Sequence, residues 1–266
     1  MDGISLTPNR DRESLRAEWT RLQSALTSPV YNAVRKRTYV ALDVPHAEDA
    51  LQIVDDLGPA VDGYKVGLEL FYAAGRQVID ELARREKRVF LDIKLHDIPT
   101  TVAHALRVVC NWPIEMVNVH SAGGTAMLEA AMEAVDQSSY HPLLIGVTVL
   151  TSLGEQDLMH LGMPAGADLA VKWSRLCQAA GLDGVVTSAL DVAAVTSACG
   201  EAFITVVPGT RPAFASRNDQ TRVLTPGEAV QRGATRLVLG RAVTRAENRL
   251  EALRAIWDEM AAFDRA

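Results

Sequence analysis

The sequence predicts a (β/α)8 TIM barrel preceded by a helical extension, and three observations predict it. Eight short β-type runs recur along the chain, with segments of helical period between them. Eight such units occupy roughly 230 residues, close to the usual barrel size of about 250. The glycine-rich turn of a doubly wound open sheet, GxGxxG, does not follow the first run.

In chain order, residues 1–38 stand before the barrel. Leu15, Trp19, Leu22 and Leu26 fall on one helical face, and Pro29 is expected to end that helix, since proline cannot continue the hydrogen-bond pattern. Such a stripe is usually core. The extension is therefore expected to cap the barrel bottom or pack on its outside, with residues 39–266 forming the catalytic barrel. Strands are expected at residues 39–44, 63–67, 88–92, 116–120, 143–148, 184–188, 203–208 and 236–240. Several are apolar at consecutive positions, as parallel strands covered by helices on the outer face must be. Ala47, Ala50, Leu51, Val54 and Leu57 make one helical stripe. Val78, Ile79, Leu82 and Ala83 make a second, and Val102, Ala105, Leu106 and Val109 a third. Leu250, Leu253, Ile256, Trp257 and Met260 line the last helix.

Composition excludes several function classes. The formal net charge is −6 with both signs interspersed, and the basic stripe of a nucleic-acid binder is missing. The longest apolar stretch, residues 143–150, is too short to span a bilayer and reads as a buried strand. The first thirty residues are rich in charge and lack the apolar segment of a signal peptide. Cys110, Cys177 and Cys199 are widely spaced, odd in number and form no CxxC pair. They are expected to be buried free thiols in a reducing cytoplasm.

Barrel enzymes carry their catalytic groups at the C-terminal ends of the strands. Those positions hold Asp43 at the first run, Lys65 in the second, and Asp92-Ile93-Lys94-Leu95-His96-Asp97 at the third. His120 ends the fourth, and Thr151-Ser152 follow the fifth. Pro208-Gly209-Thr210-Arg211-Pro212 follows the seventh, and Gly240-Arg241 the eighth. Charges at the ends of apolar strands are costly unless paired, so Asp43, Lys65, Asp92, Lys94 and Asp97 are expected to neutralise one another. Any one of them would suit a structural ion network at the rim. Five converging on one face indicate a functional site.

Lys94 is the best candidate acid. A lysine between aspartates stays protonated and can deliver a proton to a carbon that becomes anionic. A Schiff-base lysine would instead need burial or a neighbouring cation to lower its pKa. Gly240-Arg241 suits a phosphate, because glycine lets backbone N–H groups approach an anion and arginine offers a two-pronged donor. Arg211 begins a long loop running through Asn218-Asp219-Gln220 to Thr225-Pro226, the length of a lid or binding loop. Arg217 and Arg222 within it read as solvated. His96 and His120 raise a metal possibility, but their spacing is no recognised zinc pattern and Lys94 would repel a cation, so no metal is expected. His46, His104, His141 and His160 do not cluster and read as surface or packing residues.

These residues resemble a known family. Asp92-Ile93-Lys94-Leu95-His96-Asp97-Ile98-Pro99 is similar to the signature of orotidine 5′-phosphate decarboxylases, and the similarity extends over residues 39–245. Val40-Ala41-Leu42-Asp43, Tyr64-Lys65-Val66-Gly67, Val119-His120-Ser121-Ala122-Gly123-Gly124 and Thr148-Val149-Leu150-Thr151-Ser152 resemble the family's first, second, fourth and fifth strands. The Pro208–Pro212 element, Asp219-Gln220 and Gly240-Arg241 complete the match. The DxKxxD element is shared with sugar-phosphate enzymes of the same barrel superfamily; the His-Asp-Ile-Pro continuation and the Asp-Gln pair favour the decarboxylases. Val207 stands where many members have threonine, and residues 1–38 have no counterpart.

The resemblance implies decarboxylation of orotidine 5′-monophosphate to UMP in de novo pyrimidine biosynthesis, with no cofactor, through a C6 carbanion protonated by Lys94. It implies Asp43 and Lys65 at the ribose, Asp92 against the substrate carboxylate, and Thr151 and Ser152 near the pyrimidine edge. Gln220, Gly240, Arg241 and Arg211 would hold the phosphate. Asp97 and Thr101 would reach into the neighbouring subunit's site, making a homodimer with shared active sites. Two alternatives stay open. A magnesium-dependent decarboxylase or aldolase-like enzyme of keto-sugar phosphates would be sensitive to EDTA. A non-catalytic nucleotide-binding barrel would show no turnover, and the intact Asp-Lys-Asp-Lys set argues against it.

Overall fold

Eight parallel strands pair in sequence order, and the eighth pairs back onto the first, so the sheet closes and leaves no free edge. The structure, a computed structural model, describes residues 12–212 and 224–263. The strands are β1 (Thr38–Ala41), β2 (Gly63–Gly67), β3 (Arg88–Leu95), β4 (Met116–His120), β5 (Leu143–Val147), β6 (Gly184–Val186), β7 (Ile204–Pro208) and β8 (Arg236–Leu239). Helices connect them, because parallel neighbours need a crossover.

The period-2 alternation of the strands divides the core in two. Val40, Tyr64, Leu91, Val117, Val207 and Leu239 face outward and are sealed by the helical stripes. The buried stripe residues Val54, Leu57, Ile79, Leu82, Leu106, Leu253, Ile256 and Trp257 supply the other side of that layer. Tyr39, Ala41, Phe90, Met116, Ile145, Val206 and Val238 form a separate cluster that fills the lumen. The next inward positions toward the strand C-termini are occupied by Lys65, Asp92 and Asn118, all buried. An apolar plug therefore supports a polar floor at the catalytic end.

The extension packs as an outer support. Its helix, Arg12–Leu26, lies against the last helix, Arg249–Phe263, and against the turn Gly58–Ala60 that precedes β2. Leu26 is fully buried and Leu22 partly so, while the Trp19 indole N–H donates to the carbonyl of Asp56 at 3.0 Å. Gly58 takes φ +53°, and a Cβ there would collide with the Gln23 side chain, so glycine is required where the extension crosses. Pro29 does follow the helix, which stops at Leu26, and it opens a 3-10 turn, Pro29–Tyr31. Tyr31 then stacks near Trp257 at 5.7 Å between centroids, and the Trp257 indole donates to Thr38 Oγ1 at 3.1 Å.

Some boundaries differ from expectation. β1 ends at Ala41, not residue 44, so Asp43 sits beyond the strand on the chain leading to Pro45. β3 runs on to Leu95, and its pairing with β4 shifts register between Leu91 and Leu95. Cys110 and Cys177 are buried free thiols, whereas Cys199 is only half-buried at the end of its helix. Among the described residues no helix is long and apolar enough to cross a membrane.

Candidate active site

The ends of β1, β2 and β3 build a continuous chain of ion pairs. Lys65 Nζ lies 2.8 Å from Asp43 Oδ1 and 3.4 Å from Asp92 Oδ2. Lys94 Nζ lies 2.6 Å from the other oxygen, Asp92 Oδ1. Exposure grades along the chain, from 59% for the Asp43 side chain to 10% for Lys65, 12% for Asp92 and 30% for Lys94. The buried centre thus holds one carboxylate between two ammonium groups. Burial pushes the Asp92 carboxyl up, but Lys65, Lys94 and hydrogen bonds from Lys94 and Asn118 outweigh it and hold the group below the usual carboxylate range. Asp92 is therefore anionic at neutral pH. Gly67, part of the Tyr64-Lys65-Val66-Gly67 motif, makes room for this array: a Cβ there would lie 2.8 Å from Lys65 Nζ and 3.1 Å from Asp43 Oδ1.

The register shift explains how both Asp92 and Lys94 reach the mouth. Leu91 pairs with Val117 and Leu95 with Val119, so Asp92, Ile93 and Lys94 stand opposite the single residue Asn118. Lys94 adopts φ +49°, a region that side-chain-bearing residues rarely occupy. Asn118 was not among the residues expected at the site. Its signal was available in the period of β4, where Met116, Asn118 and His120 share a face and Asn118 is the polar residue inside an apolar strand.

His120 and His96 form a tilted ring pair 5.2 Å apart beside this cluster. Burial, then His96 and Lys94, lower the His120 pKa against an opposing effect of Asp92, so its imidazole is neutral at neutral pH. Among the described residues no group of three or more His, Cys, Asp and Glu side chains is arranged to hold a metal ion.

The fifth expected member of the ion array does not join it. Asp97 is exposed, and its Oδ1 accepts the N–H of Ile98 at 2.7 Å, at the start of the helix Pro99–Val109 that carries exposed Thr101. Among the described residues Asp97 makes no ion pair with Lys65 or Lys94. Thr151 and Ser152 are exposed in the turn after β5. The Arg211 N–H donates to the Leu224 carbonyl at 3.1 Å, closing the base of the loop after β7. Arg217, Asp219, Gln220 and Arg222 lie outside the described residues. Gly240 and exposed Arg241 begin the short turn of helix Arg241–Thr244 directly after β8, and a Cβ on Gly240 would meet nothing within 4 Å.

A closed parallel barrel whose first three strands end in an alternating aspartate–lysine array is a (β/α)8-barrel enzyme with a charge-paired lysine at its catalytic end. Residues 36–256 match the Orotidine 5'-phosphate decarboxylase / HUMPS family, and the chain belongs to that family. It is 50% identical over 229 residues to an orotidine 5'-phosphate decarboxylase of Alkalilimnicola ehrlichii, covering 86% of this chain and 97% of that protein. It is 48% identical over 217 residues to an orotidine 5'-phosphate decarboxylase of Laribacter hongkongensis, covering 82% and 90%. The crystal structure of orotidine 5'-phosphate decarboxylase from Lactobacillus acidophilus superposes with a TM-score of 0.74 at 32% identity, over 85% of this chain and 99% of that one. These relatives are carbon–carbon lyases.

Proposed function

We propose that the protein decarboxylates orotidine 5′-monophosphate to UMP and CO2, in de novo pyrimidine biosynthesis, with Lys94 as proton donor and with no cofactor or metal ion. The observation that carries this reading is the Lys94 ammonium held 2.6 Å from a buried, anionic Asp92 at the catalytic end of the barrel. The named relatives support the choice of substrate.

In this reaction the bond between C6 and the carboxylate breaks, CO2 departs, and the electron pair stays on C6. That carbanion has no good resonance sink, so the site must stabilise charge as it develops. A fixed ammonium in a partly desolvated cleft does so without reorganisation. Lys94 then transfers a proton from Nζ to C6 and regains one from solvent. Asp92 faces the substrate carboxylate, and departure of CO2 relieves their repulsion. Asp43 and Lys65 hold the ribose; Thr151 and Ser152 lie at the pyrimidine edge; Gly240, Arg241, Arg211 and Gln220 hold the phosphate. Binding energy from the phosphate, far from C6, orders the site for the chemical step.

Metal-stripped protein mixed with orotidine 5′-monophosphate tests the reading directly, by the ultraviolet change as the pyrimidine loses its carboxylate. Sustained turnover unaffected by EDTA is expected. Turnover that needs added magnesium, or that occurs only with a keto-sugar phosphate, would replace it. A second test isolates the phosphate grip. Arg241→Ala should raise KM and lower kcat/KM by about 2–4 kcal/mol, the range for breaking a charge-paired contact. The same variant should hardly change turnover of a truncated substrate lacking the phosphate. Equal losses on both substrates contradict the assignment.

A further inference from the structure

We infer that Asn118 is a positioning residue for the reaction, the group that sets Lys94 and Asp92 in their reactive geometry. The inference rests on the proposed role of Lys94 as proton donor. Asn118 is fully buried, and both ends of its amide are engaged. Its Oδ1 accepts the backbone N–H of Lys94 at 2.8 Å, and its Nδ2 donates to Asp92 Oδ1 at 2.7 Å. The orientation of the amide follows from its partners: a backbone N–H can only donate, and an anionic carboxylate can only accept.

The two hydrogen bonds fix Lys94 at both of its ends. Where β3 bulges, three residues face one on β4, and the side chain of Asn118 takes the N–H of Lys94. That bond holds Lys94 at φ +49°. The far end of Lys94 is held through Asp92, because the carboxylate oxygen that receives Nδ2 also receives Lys94 Nζ, at 2.6 Å. Few side chains can replace this one. Leucine fills the space but leaves the Lys94 N–H without its acceptor and Asp92 without the amide donor, so that only the two ammonium groups hold the carboxylate, and an ionised aspartate would set a second negative charge against Asp92.

Asn118→Leu and Asn118→Asp, assayed beside wild type with orotidine 5′-monophosphate, test the inference. Among the described residues the Asn118 side chain hydrogen-bonds to Lys94 and Asp92 and to neither the ribose pair Asp43–Lys65 nor the Gly240–Arg241 turn, so the loss should fall on kcat. Asn118→Leu should lower kcat on the order of 100-fold, the scale of a reacting group displaced by about 1 Å, with KM within about threefold of wild type. Asn118→Asp should be rescued by acid. When protonated, the new carboxyl has the shape of the amide, with its carbonyl accepting the Lys94 N–H and its O–H donating to Asp92. When ionised, it repels Asp92. The groups facing it are Asp92 and Lys94 on β3, Lys65 beyond Asp92 on β2, and His120 with its partner His96. The two histidines titrate in wild type as well, so the ratio of variant to wild-type kcat is the quantity to follow. That ratio should be highest at acid pH and fall as pH rises through the apparent pKa of the new carboxyl and Asp92 together. A ratio flat with pH overturns the inference, as does an Asn118→Leu enzyme keeping more than a third of wild-type kcat or losing its activity through KM. If Asn118→Leu does not fold, the near-isosteric Asn118→Asp profile decides. Wild type that does not turn over this substrate defeats the proposed function instead, which separates the two failures.

Discussion

Lys94→Ala should cut kcat by about 10²–10⁴ through loss of the proton donor alone, with a further loss because no fixed cation meets the charge developing on C6. The fold should survive. Lys94 lies at the barrel mouth, above the lumen cluster, and its side chain is 30% exposed. Asp92 keeps Lys65 and Asn118 as partners in the variant, so no buried carboxylate is left alone. Its pKa should nonetheless rise from its lowered position, because one of the two ammonium groups holding it down has gone. Initial rates from the ultraviolet change, with thermal unfolding as the control, check both parts. A folded variant that keeps more than about a tenth of wild-type kcat removes Lys94 from the role of acid.

What could be read from the sequence follows from how each feature is encoded. The barrel was legible because parallel strands sealed by helices on their outer face are written as apolar runs, and because helical stripes such as Leu253, Ile256, Trp257 and Met260 keep a separate period. The ion array was legible for four residues, because a charge at the end of an apolar strand demands a partner. Asp97 obeys the same rule on paper and fails it in space. Charge pairing by pattern assumes that neighbours in sequence share a face, whereas β3 ends at Leu95 and Asp97 is exposed beyond it, bonded to the Ile98 N–H. The register shift was invisible, since the pattern Asp92-Ile93-Lys94 reads as ordinary alternation. A bulge is recorded only in the pairing with β4. Asn118 was missed for a related reason. His120 stands at the strand terminus, yet the residue that bonds both Lys94 and Asp92 lies two positions earlier on the same face. A polar amide inside an apolar strand is the sign to look for, because burying it requires partners.

The exposed placement of Asp97 leads to the second large expected effect. Asp97 stands outside the ion chain of its own subunit and is followed by Ile98, which is 63% exposed. A large exposed apolar group next to a carboxylate that makes no ion pair is what a neighbouring subunit would cover. We propose that a two-fold homodimer forms over this surface and that Asp97, with Thr101, completes the partner's active site. Each site then needs Lys94 from one subunit and Asp97 from the other. Homodimers of Lys94→Ala and of Asp97→Ala should both be nearly inactive. In a mixed dimer one site collects both substitutions and the other collects neither. Random exchange makes about half the dimers mixed, so roughly a quarter of all sites become intact, given two-fold symmetry. Mixing two inactive proteins under exchange conditions should therefore restore activity to about that fraction of wild type, with kinetic constants per intact site equal to wild type. Exchange itself is measured independently, by mass spectrometry of differently tagged subunits. If tagged subunits exchange and no activity returns, Asp97 acts within its own chain, and the loop after β3 must fold back over Lys94 when substrate binds.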